Sequence, residues 1–409
     1  MAITAIACPS PLIEEPIPRE RPRIAAKPSF YRPELDMLRF FAFFAVFLHH
    51  ALPGFVPGHH SWPIASLLSL ANITHEIGGF GVCLFFLLSA YLITELLQRE
   101  LDRTGTIHVG FFYIRRGLRI WPLYFAFVCV CSVAGLFLSA YHVEPGRIMA
   151  LLFVSGNWYA AAYGLGAYPI APLWSLSVEE QFYLAWPWIA RLGGRRVIVR
   201  VAYLLFPLSW LSIYCFSRGP HANAWKIWVN SFVQFQFFAA GALLAIRLKG
   251  RAPNLHWLWR AALGLAGVLL WCAATSIFHL STYGTLTPSY LTIPGYTFVA
   301  VGCAALFFAF LGTPQRWISK PLVYLGKISY GLYVLHLAVI DYAWTFFLPK
   351  GSNVLDLSRH PGQAVVRLLA VQVGALLATI LLAVLSYQFF ERRFLKWKER
   401  FTFIPSRSI

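Results

Sequence analysis

The 409-residue chain is 58% hydrophobic and only 12% charged, with a mean hydropathy of +0.62, whereas soluble domains carry about 25% charged residues. That balance excludes a soluble enzyme, and repeated apolar runs near the ~20 residues of a membrane helix point to an all-α polytopic protein. The formal charge of +18 gathers at the ends of those runs, where membrane orientation explains it, and not in a patch suited to nucleic acid.

Residues 1–30 are rich in Pro, Glu and Arg and have no apolar core, so they read as a cytoplasmic tail and not as a signal peptide. Apolar segments follow at 36–56, 78–97, 119–140, 173–192, 197–216, 227–247, 257–280, 291–311, 325–349 and 364–389. A further stretch, 148–164, is short and broken by Gly156 and Gly164. With a cytoplasmic N-terminus and this stretch not crossing, 28 of the 34 Lys and Arg fall inside. If it crosses, the split becomes 16 inside against 18 outside. The positive-inside rule therefore selects about ten spans with both termini cytoplasmic. The sequence predicts a membrane domain over 31–394, a cytoplasmic tail over 395–409, and an outer 141–172 region that is a loop or a re-entrant segment lining a cavity. The seven cysteines lack metal-ligand spacing and read as packing residues; no metal is expected.

The first span carries Glu34, Asp36, Arg39, His49 and His50, and ionisable groups inside a span are functional candidates by default. Eleven steps of 100° leave Arg39 and His50 about 20° apart, while His49 stands about 80° from Arg39. His50 is thus the partner on the face of Arg39. With Arg39 at the cytoplasmic boundary, His50 lies about 16 Å deeper, near mid-membrane. An imidazole there can act as the general base that a sugar hydroxyl needs; the alternative is a histidine hydrogen-bonded between helices. Asp36 is about 21 Å from His50 along the helix and pairs instead with Arg39 at i, i+3.

The second loop carries Arg115, Arg116 and Arg119, spaced so that three guanidinium forks can converge on phosphate oxygens. A stop-transfer charge cluster would look the same. In the fourth span, Ser175, Glu179 and Tyr183 recur every four residues on one face, whereas Glu180, about 100° away, reads as a solvated or structural partner. In the ninth span, Ser329, Tyr333 and His336 form one polar stripe, either a substrate path or an interhelical hydrogen-bonding seam. Ser89 sits in Phe85-Phe-Leu-Leu-Ser89-Ala-Tyr91 without a nucleophile elbow, so a covalent serine mechanism is not indicated. No phosphate loop or dinucleotide fingerprint appears.

In order along the chain, Arg32-Pro-Glu-Leu-Asp36-Met-Leu-Arg39 through His50, Gly81-Val-Cys-Leu-Phe-Phe-Leu-Leu-Ser89 to Thr94, Phe112-Tyr-Ile-Arg-Arg-Gly-Leu-Arg119, Trp174 to Tyr183, Ser329-Tyr330 to His336 and Phe390-Glu391 resemble acyltransferase family 3, the membrane family of O-antigen and exopolysaccharide O-acetylases and macrolide O-acyltransferases. Each piece is weak alone; six in order over residues 31 to about 394 are specific. The resemblance implies ten spans in a bacterial inner membrane and a cytoplasmic acyl-CoA donor, such as acetyl-CoA, used as co-substrate with no permanently bound cofactor. It places the family's essential arginine and histidine on Arg39 and His50, its Arg-x-x-Arg on Arg116 and Arg119, and its glutamate on Glu179. Ala90 and Cys83 depart from the usual pattern.

The resulting expectation is an O-acyltransferase in which Arg115, Arg116 and Arg119 receive the phosphates of acyl-CoA. Arg39 guards the donor entrance. His50 activates the acceptor hydroxyl or carries the acyl group transiently, and Glu179 supports the histidine. Asp36, Ser175, Tyr183, Ser329, Tyr333 and His336 line the substrate path, and the acceptor is a carbohydrate or a glycosylated small molecule. The rival class is a transporter or flippase of a lipid-linked glycan, which would show paired inverted repeats; no such internal symmetry is visible.

Overall fold

Among the described residues, each of the ten predicted apolar segments lies mainly on helix, as backbone polar groups inside lipid require. The computed structural model describes residues 31–52, 62–166, 168–218, 223–282, 287–348 and 361–402, so the predicted tail 1–30 and Cys8 lie outside the described residues. The other six cysteines are unpaired.

The chain begins with α1 (Pro33–Ala51), opened by Pro33 and by the acidic residues Glu34 and Asp36 that suit the positive end of a helix dipole. A helix not read from the sequence, α2 (Trp62–Gly78), precedes α3 (Gly81–Thr104) and α4 (Val109–Phe137). Two eight-residue helices, α5 (Pro145–Leu152) and α6 (Gly156–Tyr163), reverse on each other and pack against the long α7 (Leu173–Phe216). The 141–172 region, expected as a loop or a re-entrant segment, thus carries two short helices packed on α7. Then come α8 (Ala224–Trp228), α9 (Ser231–Leu248), α10 (Trp257–Ser276), α11 (Ser289–Phe310), α12 (Lys320–Lys327), α13 (Ser329–Phe347), α14 (Pro361–Leu385) and α15 (Arg392–Lys398), the last two joined by a π-helical turn over Ser386–Glu391. No strand occurs among the described residues.

Among the described residues, seven helices are long and apolar enough to cross a membrane, or eight if α12 and α13, bent by 74° at Ile328, form one span. In that count α7 appears once, although Gly194 (φ 54°, ψ −155°) breaks it where the sequence separates two apolar segments. Only glycine takes that conformation without strain. α1 is not among the seven, because Glu34, Asp36 and Arg39 all lie within its 19 residues.

α3 is the central helix, with 83% of its most apolar stretch buried among α1, α7, α9 and α11. Bilayer lipid gives little hydrophobic drive for helix association, so close backbone approach matters. At Gly81 a Cβ would press on the Ala42 carbonyl and come within 2.9 Å of Val46. The glycine thus sets the α1–α3 contact that brings Arg39 and Ser89 to one space.

Candidate active site

Three cavities run in a row through the bundle and share walls. The first, about 960 Å³ of empty space, is bordered by Asp36, Arg39, Arg115, Arg116, Arg119 and Lys398 among others. The second, about 660 Å³, shares Arg39, Arg116 and Arg119 with the first and adds Ser89, Ser175, Glu179, Tyr183, Ser329 and Tyr333. The third, about 360 Å³, shares Val82 and Tyr333 with the second and holds His49 and His50. Arg39 and His50, one face of α1, therefore mark the two ends of the middle cavity.

At the cationic end, Arg39 pairs with Asp36 at 3.6 Å, the i, i+3 contact expected from the sequence. Arg115 is largely committed: it donates to Glu100 and to the Phe401 carbonyl, each at 2.8 Å. Arg116 lies over the rings of Phe112 and Tyr183, at 5.7 and 5.2 Å. Among the described residues neither Arg116 nor Arg119 has an ion pair. The expected convergence of three arginines thus resolves into a structural Arg115 and a group formed by Arg39, Arg116, Arg119 and Lys398. Lys398 arrives because α15 folds back on α4. Nothing local in the sequence marked it, since contact across the bundle decides its place.

In the middle cavity Glu179 accepts hydrogen bonds from the Ser89 and Tyr183 hydroxyls, which also lie within 2.5 Å of each other. Those bonds differ from the expectation that Glu179 supports the histidine: the carboxylate orients a hydroxyl pair and faces the arginines. Ser175, Glu179 and Tyr183 do share one cavity, as their four-residue spacing predicts. Glu180 leaves that face and takes the structural of its two expected roles: its Oε2 accepts from the Trp121 indole N–H at 3.2 Å, while Oε1 is buried without a hydrogen-bond partner.

Tyr333 connects the second and third cavities, with its hydroxyl 2.6 Å from Ser175 Oγ. The polar stripe of α13 is buried as predicted, and it both lines a cavity and bonds between helices. Its far member, His336, is fully buried, and its ring stands 5.3 Å from that of His50 between centroids. His336 Nδ1 is 2.6 Å from the Tyr333 carbonyl. A carbonyl only accepts, so Nδ1 carries the proton and Nε2 is a lone pair; that Nε2 is buried with no hydrogen-bond partner.

His49 and His75 are held in the same way, Nδ1 of His49 on the His75 carbonyl at 2.6 Å and Nδ1 of His75 on the Leu52 carbonyl at 2.8 Å. The His49 ring stands 4.8 Å from His50 and 4.7 Å from His75. His75 belongs to α2, the helix not read from the sequence, which packs on α1. Among the described residues no group of His, Cys, Asp or Glu could hold a metal ion.

The arrangement offers fixed positive charge at one end, a hydroxyl–carboxylate network in the middle and a half-buried imidazole at the other end. The sequence matches the family described as acyltransferase domain over residues 32–388. It is 27% identical over 393 residues to the peptidoglycan O-acetyltransferase OatA of Listeria monocytogenes, covering 88% of this chain and 55% of that protein. It is 26% identical over 402 residues to the O-acetyltransferase OatA of Staphylococcus aureus, covering 92% of this chain and 59% of that one. The chain thus spans less than two thirds of the length of these curated relatives. No solved structure matches.

Proposed function

This chain belongs to acyltransferase family 3, and from that premise we propose that it transfers an acyl group, acetyl in the first instance, from cytoplasmic acyl-CoA to a sugar hydroxyl of a surface polysaccharide, glycolipid or glycosylated metabolite. The reading includes ten spans in the bacterial inner membrane with both termini cytoplasmic. The observation that carries it is the row of cavities joining Arg39, Arg116, Arg119 and Lys398 to His50. Guanidinium forks at the wide end suit the phosphates of CoA, and the extended pantetheine arm would run through the middle cavity toward the imidazole.

In this mechanism His50 takes the proton of the acceptor hydroxyl as its oxygen attacks the thioester carbonyl. The tetrahedral intermediate collapses with cleavage of the C–S bond, and the imidazolium returns its proton to the departing thiolate, so that CoA leaves as the thiol and His50 is again neutral. Tyr183 and Ser89, oriented by Glu179, provide hydroxyls along the donor arm. Arg39 supplies positive charge between the first two cavities.

The test is release of free CoA from acetyl-CoA by the purified protein in lipid nanodiscs, with and without a sugar acceptor. Thioester turnover that disappears in His50→Ala, with the variant still folded by circular dichroism, is the expected result. Unchanged turnover in that variant, or movement of a lipid-linked glycan without thioester consumption, would sink the reading.

A further inference from the structure

A fourth cavity, about 470 Å³ of empty space, lies beside the row and outside the machinery described above. Trp121, Tyr124 and Phe125 of α4, the end of α5 and Ser177 and Glu180 of α7 wall it. Its rim is apolar and open to the outside of the bundle: Trp121 is 46% exposed, Phe125 37% and Leu152 44%. Its floor is polar. Glu179 and Glu180 are neighbours in sequence, but about 100° of helix turn separates them, so the first lines the middle cavity and the second lines this one.

One polar group on that floor is unmet. The indole N–H of Trp121 donates to Glu180 Oε2 at 3.2 Å, while Glu180 Oε1 is buried with no hydrogen-bond partner. Ser177, 2% exposed, lies against the Tyr124 hydroxyl, which donates to the Leu151 carbonyl at 3.0 Å. Buried polar groups are normally satisfied, so a carboxylate oxygen left unmet beside two hydroxyls calls for a ligand that brings hydroxyl donors.

The wall opposite is held deliberately. Val154 adopts φ 59°, a conformation that strains a β-branched residue. Its carbonyl is fixed by Gln181 at 2.7 Å, and Gln181 is fixed in turn by Asn157 and Ser231. Ile120 and Leu176 line both this cavity and the middle one, so the two share a wall.

We infer that this side cavity binds an amphiphile with a polyol headgroup, its hydrocarbon tail leaving past Trp121, Phe125 and Leu152 and its hydroxyls bonding Glu180 and Ser177. Such a ligand satisfies the carboxylate oxygen, and a hydrocarbon tail matches the apolar rim. Its assignment as the acyl acceptor rests on the transferase reading; the binding itself does not.

The experiment places the protein in phosphatidylcholine nanodiscs with a photoactivatable alkyl glucoside and maps the label by peptide mass spectrometry. Label on 121–125 and 151–154 is expected, displaced by decyl glucoside, with displacement about tenfold weaker or worse in Glu180→Ala, as loss of one charge-assisted hydrogen bond requires. Glu180→Gln, nearly the same shape, controls for folding and should fall between the two. Label scattered over the bundle, or equal displacement by decyltrimethylammonium, which has no hydroxyl, overturns the proposal.

A second arm compares acetyl transfer to decyl glucoside and to methyl glucoside. Glu180→Gln should slow the first and spare the second. If labelling behaves as expected but the unaltered protein releases no CoA, the transferase reading fails and the binding site stands.

Discussion

His336 Nε2 presents a buried, unpartnered lone pair on the side of a ring whose centroid is 5.3 Å from that of His50. Two imidazoles at that separation reach hydrogen-bonding distance when turned nitrogen to nitrogen. Because His336 donates through Nδ1 to the Tyr333 carbonyl, its Nε2 is left as an acceptor, and under the proposed mechanism a turn of the rings lets it take the N–H of His50 and leave the other His50 nitrogen as the base.

His336→Phe removes that acceptor and keeps an aromatic ring of similar bulk. Turnover should fall by about tenfold to a hundredfold, within the range of a lost hydrogen bond to a reacting group. His336→Gln, whose amide oxygen can accept in place of Nε2, should recover part of the loss. Steady-state kinetics against pH decide the matter. A purely structural role would lower the yield of folded protein in both variants and leave the shape of the pH profile unchanged.

Arg116 and Arg119 border both the first and second cavities. Arg116→Gln and Arg119→Gln should each raise the KM for acetyl-CoA about tenfold or more, with a smaller change in kcat, and the effect should weaken at high salt as screening predicts. Arg115→Gln should act differently. Its partners are Glu100 and the Phe401 carbonyl, so thermal stability should drop more than donor affinity.

Glu179→Ala leaves the hydroxyls of Ser89 and Tyr183 without their shared acceptor in a cavity with three arginines. Catalytic efficiency should fall more than in Ser89→Ala, which removes only one of the two donors. Equal losses in the two variants, measured as kcat/KM for acetyl-CoA, would show that Glu179 has no role beyond holding Ser89.

Arg147 ties the α5–α6 hairpin together. It is 3% exposed, donates to the carbonyls of Gly164 and Leu165 at 2.9 Å each and to Glu144 at 2.8 Å, and lies over the ring of Tyr159. Arg147→Ala should destabilise the fold by about 2 kcal/mol or more, because buried carbonyls lose charge-assisted donors. The hydrogen bond from Arg147 holds the Glu144 carboxyl below its ordinary value of 4.5. A depressed folded-state pKa gives a contribution that is complete above the ordinary carboxylate range and lost as pH falls through the folded value. Acidification below about pH 4.5 should therefore loosen the hairpin in the unaltered protein and have less effect in Glu144→Gln, read as hydrogen exchange over 145–163.

The sequence by itself determined the class and most of the helices, because a segment that crosses lipid must be apolar along its length and helical for its backbone bonds. The same logic reached the ends of the active face of α1: eleven residues at a fixed pitch put Arg39 and His50 in line before any packing is known. Periodicity also grouped Ser175, Glu179 and Tyr183, and it separated Glu180 from them.

Only the tertiary structure decided which of these faces meet. Ser89 and Glu179 are 90 residues apart, Lys398 reaches the arginines by a fold-back, and α2 with His75 takes its place by packing on α1 and α10. Cavities exist between helices, not on them, so their row depends on close approaches such as Gly81 on Ala42, and the side chamber that holds Glu180 depends on how α4, α5 and α7 meet. Helical pitch is a local property that each segment carries alone; the choice of neighbour depends on every interface at once.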